Sequence, residues 1–212
     1  MMPKIKICGL KYPANIREVA VFEPDFMGFI FYPQSPRYVG PGFVMPADVP
    51  AKTARVGVFV NQQPETILQV ASAHKLTHIQ LHGYESPDDC YILYKHGYSL
   101  IKAFGVDAAF NFDVLKPYLD VTDYFLFDTR SKQYGGSGRA FNWTVLEKYT
   151  WNKPFFLSGG LSPALLKANG LPRHPCLFAL DVNSGVEDEP GLKNTTQIQN
   201  FIHIVKNLLV HL

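Results

Sequence analysis

The chain has 212 residues, 47% of them hydrophobic and 18% charged, with a formal net charge of +2. That apolar content excludes a mainly disordered chain and is enough for one sizeable core. The Lys and Arg residues are scattered, which argues against a nucleic-acid partner, and no run approaches the ~18 apolar residues of a membrane span.

In chain order, Lys4–Cys8 reads as a first strand. A helix over Asn15–Phe22 follows Pro13, with Ile16, Val19 and Ala20 as its apolar positions. Met27–Phe31 reads as the second strand. The next segment, Pro33–Lys52, holds Pro33, Pro36, Pro41, Pro46 and Pro50 besides Gly40 and Gly42. Proline removes a donor and clashes inside a helix, so the second helix is expected to be short, distorted or missing. Val56–Asn61 is the third strand. Pro64 and Glu65 suit the first turn of a helix that runs to His74. His78–Leu81 is the fourth strand, and Ser86 caps a helix running toward His96. Ser99–Phe104 and Tyr124–Asp128 are the fifth and sixth strands. Short helices over Trp143–Lys148 and Ser162–Ala168 flank the seventh strand, Pro154–Ser158. Leu177–Asn183 is the eighth. From about Thr195, the residues Ile198, Phe201, Ile202, Val205, Leu208, Leu209 and Leu212 form one stripe at helical period.

Strands that are near-continuous runs of Val, Ile, Phe and Leu point to a parallel sheet buried on both faces. Eight strand–helix units predict an α/β fold, a single-domain (β/α)8 TIM barrel over residues 1–212. A doubly wound open sheet is the alternative, but Cys8-Gly9-Leu10 after the first strand lacks the GxGxxG usual there.

In such a barrel the site lies at the C-terminal strand ends. There the sequence puts Cys8, Arg37, His82, Asp128 and Asp181: a thiol, a guanidinium, an imidazole and two carboxylates. Glycine clusters follow strands six, seven and eight at Gly135-Gly136-Ser137-Gly138, Ser158-Gly159-Gly160 and Asn183-Ser184-Gly185. Glycine lets backbone N–H groups approach an anion, so these suggest a phosphate clamp. No His set has metal-ligand spacing. A metal-dependent epimerase is therefore disfavoured. A phosphosugar synthase using strand Lys6 or Lys102 stays open, as does a barrel that binds a phosphosugar without turnover. Cys8, Cys90 and Cys176 form no disulfide framework and no signal peptide is visible, so a reducing cytoplasm is the expected home.

Taken together, the motifs carry a resemblance. They are Lys6-Ile7-Cys8-Gly9, Ser35-Pro36-Arg37-Tyr38-Val39, Val56-Gly57-Val58-Phe59-Val60-Asn61 and Gln80-Leu81-His82-Gly83. Then come Asp128, Gly135-Gly136-Ser137-Gly138, Phe141-Asn142-Trp143, Ser158-Gly159-Gly160-Leu161, Asp181-Val182-Asn183-Ser184-Gly185-Val186-Glu187 and Pro190-Gly191-Leu192-Lys193. In order and spacing, over nearly the whole chain, this resembles the phosphoribosylanthranilate isomerases of L-tryptophan biosynthesis. Asn142, Ser158 and Asn183 depart from the family's usual Asp, Ala and Ser.

The resemblance implies an Amadori rearrangement of N-(5-phosphoribosyl)anthranilate to 1-(2-carboxyphenylamino)-1-deoxyribulose 5-phosphate, with no metal or other cofactor. It implies Asp128 as general acid and Cys8 as general base. Arg37 would grip the anthranilate carboxylate. Asp181 would accept from the anthranilate amine or a sugar hydroxyl, and His82 would contact substrate or shape the pocket. The phosphate would meet backbone amides near Gly136, Gly138, Gly159, Gly160, Ser184 and Gly185. A free thiol titrates near ~8.5, and cationic neighbours are expected to bring Cys8 down toward neutrality. The partner expected is the small-molecule substrate, with no nucleic acid and no membrane. A monomer is the default, with a homodimer as the alternative.

Overall fold

A computed structural model describes residues 2–129 and 142–210 of the chain. The glycine cluster Gly135–Gly138, with Gly136 and Gly138, lies outside those residues, as do Phe141, Leu212 and the Leu209 side chain.

Eight parallel strands close into one barrel. They are β1 (Lys4–Ile7), β2 (Phe26–Ile30), β3 (Ala54–Phe59), β4 (His78–Leu81), β5 (Ser99–Val106), β6 (Tyr124–Thr129), β7 (Phe155–Leu157) and β8 (Leu177–Val182). Pairing of β1 with β8, which sets Lys6 opposite Asp181, closes the ring. The helices are α1 (Pro13–Ala20), α2 (Pro64–Ala73), α3 (Pro87–Lys95), α4 (Pro163–Asn169) and α5 (Thr195–Val210). Each of the first four opens with proline in its first turn, where the missing N–H costs nothing. Ser86 caps α3 through a reciprocal bond with Asp89, the capping box its sequence implies.

Period-two alternation along the strands divides two cores. Phe26, Val56, Ile101, Ala103, Leu126, Phe156 and Ala179 fill the barrel's interior. The larger core lies between the strands and the surrounding helices and includes Ile7, Phe29, Phe59, Phe127 and Phe201. Ile198, Phe201 and Val205 on α5 are fully buried in it. Roughly 25 cal/mol per Å² of apolar surface removed from water makes this burial the main stabilising term.

Among the described residues, no helix spans Pro33–Lys52. A single bridge from Tyr38 to Ile30 ties the segment to β2. Phe43 and Val49 are buried and fill the space where a helix's apolar face would sit, Phe43 packing on Phe29 and Phe31. Three short 3-10 turns, Phe112–Tyr118, Trp143–Lys148 and Ser184–Val186, stand in the other connections. The first contains Pro117, which bars a full α-helix there. A two-stranded hairpin, β9 (Glu187–Glu189) with β10 (Leu192–Lys193), follows β8 and was not expected from the sequence. No helix among the described residues is long and apolar enough to cross a membrane.

Candidate active site

A cavity opens at the C-terminal end of the barrel. It is lined by Cys8 from the end of β1, Gln80 and His82 from β4, Asp128 from β6, Ser158, Gly159 and Gly160 after β7, and Asp181, Asn183 and Ser184 at the end of β8. The same two-residue alternation that fills the lower barrel with Phe156 and Ala179 puts these side chains in its mouth. Ile30, Val58 and Tyr32 pack with Cys8 as the apolar wall. Gly28 makes room for the thiol, since a Cβ there would stand 2.7 Å from Cys8 Sγ.

A chain of polar contacts crosses this mouth. Lys6 Nζ, fully buried, donates to Asp181 Oδ2 at 2.9 Å and to Gln80 Oε1 at 2.8 Å. The Gln80 amide nitrogen lies 2.8 Å from His82 Nδ1, and His82 Nε2 lies 3.4 Å from Asp128 Oδ2. Asp128 Oδ1 accepts from the Thr129 amide at 2.8 Å. Asp181 Oδ1 is buried in the cavity wall without a hydrogen-bond partner. A buried unpaired carboxylate oxygen is costly, so it is an acceptor suited to a donor on a bound molecule.

Burial pushes the Cys8 thiol up from its ordinary value; nearby Lys6 offsets part of this and Asp181 adds to it. The expectation of a thiol lowered toward neutrality is corrected, because desolvation of the thiolate outweighs the cation beside it. Burial likewise raises Asp181, with Lys6 holding it back. Burial also works against the Lys6 charge, but the Asp181 and Cys8 anions outweigh it and the net shift is upward. Alkylation reads the thiolate. Iodoacetamide labelling of Cys8, followed by peptide mass spectrometry, is therefore expected to be much slower at pH 7.5 than in the denatured chain. Its rate should still be climbing at pH 9; a plateau reached below pH 8 would contradict the burial argument.

Arg37 is not part of the cavity lining. Its Nε and Nη2 hold the Glu187 carboxylate at 2.7–3.0 Å. Lys193 Nζ, also buried, binds Glu187 Oε1 at 2.6 Å and Asn183 Oδ1 at 2.8 Å. Burial brings Lys193 down to about 8 against the pull of Glu187. Burial would raise Glu187, but Arg37 and Lys193 hold its carboxyl below the usual range. Gly159 and Gly160 line the cavity with φ of 94° and 65°, a backbone form suited to glycine. Gly185 is not in the lining. It packs against the Leu161 carbonyl, where a Cβ would come within 1.9 Å.

Gln80, Glu187 and Lys193 have no role in the site as read from the sequence, where Lys6 enters only as a possible synthase lysine. The signal for Lys6 and Gln80 was present: each is a polar residue two positions before Cys8 or His82, and so on the same strand face. Cys90, on the inner face of α3, is buried and pushed up to about 12 by burial, fitting an inert thiol. No cluster of three or more His, Cys, Asp or Glu that could hold a metal occurs among the described residues.

Comparison with known proteins agrees with this geometry. The family model for N-(5'phosphoribosyl)anthranilate (PRA) isomerase matches residues 5–204. An N-(5'-phosphoribosyl)anthranilate isomerase of Parabacteroides distasonis is 46% identical over 204 residues, covering 93% of this chain and 91% of that protein. The crystal structure of the Thermotoga maritima phosphoribosyl anthranilate isomerase superposes with a TM-score of 0.81 at 35% identity, covering 97% of this chain and all of that one. A phosphoribosyl anthranilate isomerase in complex with reduced 1-(o-carboxyphenylamino)-1-deoxyribulose 5-phosphate superposes with a TM-score of 0.78 at 32% identity, covering 97% and 100% of the two chains. With its barrel and nearly all of its length matched by these enzymes, the chain belongs to the N-(5'-phosphoribosyl)anthranilate isomerase family of tryptophan biosynthesis.

Proposed function

We propose that Asp128 and Cys8 are the acid and base with which this chain isomerises N-(5'-phosphoribosyl)anthranilate. The observation that carries the reading is their convergence on one cavity from strands on different sides of the barrel. Protonated Asp128 gives its proton to the furanose ring oxygen. The bond from C1 to that oxygen breaks, and the anthranilate nitrogen's lone pair forms a C1=N iminium. Cys8 thiolate then takes the proton from C2. The electrons of that bond form C1=C2 while those of C1=N return to nitrogen, leaving an enolamine. The Asp128 carboxylate takes the C2 hydroxyl proton and the Cys8 thiol returns a proton to C1, which gives the ketone and restores both groups. The iminium is a cation beside a thiolate, so it favours the ionised base at the step that needs it.

The other roles follow charge. The unpaired Asp181 Oδ1 accepts from the anthranilate N–H or a sugar hydroxyl. Arg37 is held by Glu187 along one edge of its guanidinium. The remaining N–H groups are left to meet the anthranilate carboxylate bidentately. Lys193 neutralises Glu187, so the Arg37–Glu187–Lys193 cluster keeps the net positive charge such a ligand wants. The backbone around Gly159, Gly160 and Ser184 receives the phosphate, with Gly185 letting the chain pack closely enough to form that clamp. The three free thiols suit a cytoplasmic enzyme.

Turnover of phosphoribosylanthranilate generated in situ, followed by loss of its fluorescence, tests the reading. The wild type is expected to turn over. Folded Cys8→Ala is expected to lose about 10²–10⁴-fold in kcat. Full activity in that variant would discard Cys8 as base. A folded wild type that binds a phosphosugar without turnover would discard the catalytic reading.

A further inference from the structure

Gln80 is almost completely buried, faces the barrel mouth and has no part in the proton transfers above. Its two neighbours decide which way its amide points. Lys6 Nζ, at 2.8 Å, is an ammonium and only donates. It faces the amide oxygen, so the Gln80 NH2 group faces His82 Nδ1, 2.8 Å away. An N–H directed at a ring nitrogen needs a lone pair there. Nδ1 is therefore unprotonated, and the neutral ring carries its proton on Nε2, 3.4 Å from Asp128 Oδ2.

We propose that Lys6 and Gln80 are positioning residues that lock His82 in its Nε2–H tautomer, so that a fixed donor waits for the carboxylate that Asp128 becomes. The proposal rests on the reading of Asp128 as the acid. Once Asp128 has given up its proton, Oδ1 holds the Thr129 amide and Oδ2 receives the His82 N–H. The opposite tautomer would set a lone pair against the new negative charge. Because that contact strengthens only as the carboxylate forms, the lock acts on kcat more than on KM. It also explains why a lysine and a glutamine are buried inside the barrel.

The test uses whole protein labelled with 15N-histidine, with His82 assigned by the signal missing from His82→Gln. At pH 8 the wild type is expected to show Nδ1 as an unprotonated ring nitrogen and Nε2 bearing hydrogen. Gln80→Glu keeps the shape and the Lys6 contact but offers His82 only an acceptor, so Nδ1 should gain a proton. With it kcat should fall about 10-fold or more and KM should change less than about threefold. Gln80→Leu, which offers neither donor nor acceptor, should show both tautomers and an intermediate kcat, and stands in if Gln80→Glu does not fold. Wild-type Nδ1–H overturns the lock, whatever the activity. The expected tautomers with an unchanged kcat in both variants overturn its catalytic purpose. The expected tautomers in a wild type that fails to turn over count against the Asp128 reading and leave the lock standing.

Discussion

Asp128→Asn is expected to lower kcat by about 10²–10⁴-fold, the usual worth of a positioned general acid, without loss of the far-ultraviolet dichroism of the barrel. Asparagine is nearly the same shape. Its oxygen can still take the Thr129 amide that Asp128 Oδ1 holds at 2.8 Å. Its amide N–H is far too weak an acid to protonate a ring oxygen. Because the proton passes only in the transition state, the loss should fall on kcat and kcat/KM together and leave KM nearly unchanged. A rise in KM with kcat intact would make Asp128 a binding group instead. A kcat within tenfold of the wild type would move the acid elsewhere in the cavity, with His82 the next candidate at 3.4 Å.

Glu85→Ala is expected to have the largest effect on stability. Glu85 and Lys102 form an ion pair at 3.0 Å with both side chains 2% exposed. Glu85 also accepts from the backbone N–H groups of Asn61 and Gly83. Lys102 donates to the carbonyl of Gly83 at 2.7 Å. Together they pin the turn that follows His82. Removing the carboxylate strands a buried ammonium and two backbone donors. Breaking a buried pair in this way costs about 3–5 kcal/mol, a large part of the ~5–15 kcal/mol that holds a domain together. The midpoint of urea unfolding should fall accordingly. Adding Lys102→Met to Glu85→Ala should recover part of the loss, since the stranded charge is then gone. A change below about 1 kcal/mol in the single variant would mean that water reaches Lys102 and the pair is dispensable.

The pair also shows where reading the sequence stops. Lys102 stood out only as a strand lysine available for synthase chemistry. Its ammonium is instead spent on Glu85 and three carbonyls, and Lys6 is spent on Asp181 and Gln80. Nothing local separates a reactive lysine from one paired in the core. The partners are assembled by barrel closure: Lys6 and Asp181 are 175 positions apart, Arg37 and Glu187 150. The β9–β10 hairpin that carries Glu187 and Lys193 has strands of three and two residues, too short to show a period. The ends of the strands, by contrast, were legible to within a residue or two, because each is an apolar run that stops where polar rim residues begin.

By itself the sequence determined the eight buried strands, the absent second helix and the residues at the barrel rim. Each depends on local composition and period: β-rich apolar runs, five prolines in one connection, and polar side chains at strand ends. It also determined the family, since the motif order is a property of the chain. The tertiary structure alone decided which of those rim residues face the cavity, that Arg37 is anchored by Glu187, and that Gln80 stands between Lys6 and His82. It alone decided the direction of the Cys8 shift, because the proximity of Lys6 could be guessed from the sequence but the burial that outweighs it could not. Desolvation depends on everything packed around a group, and that is assembled only when the first strand meets the eighth.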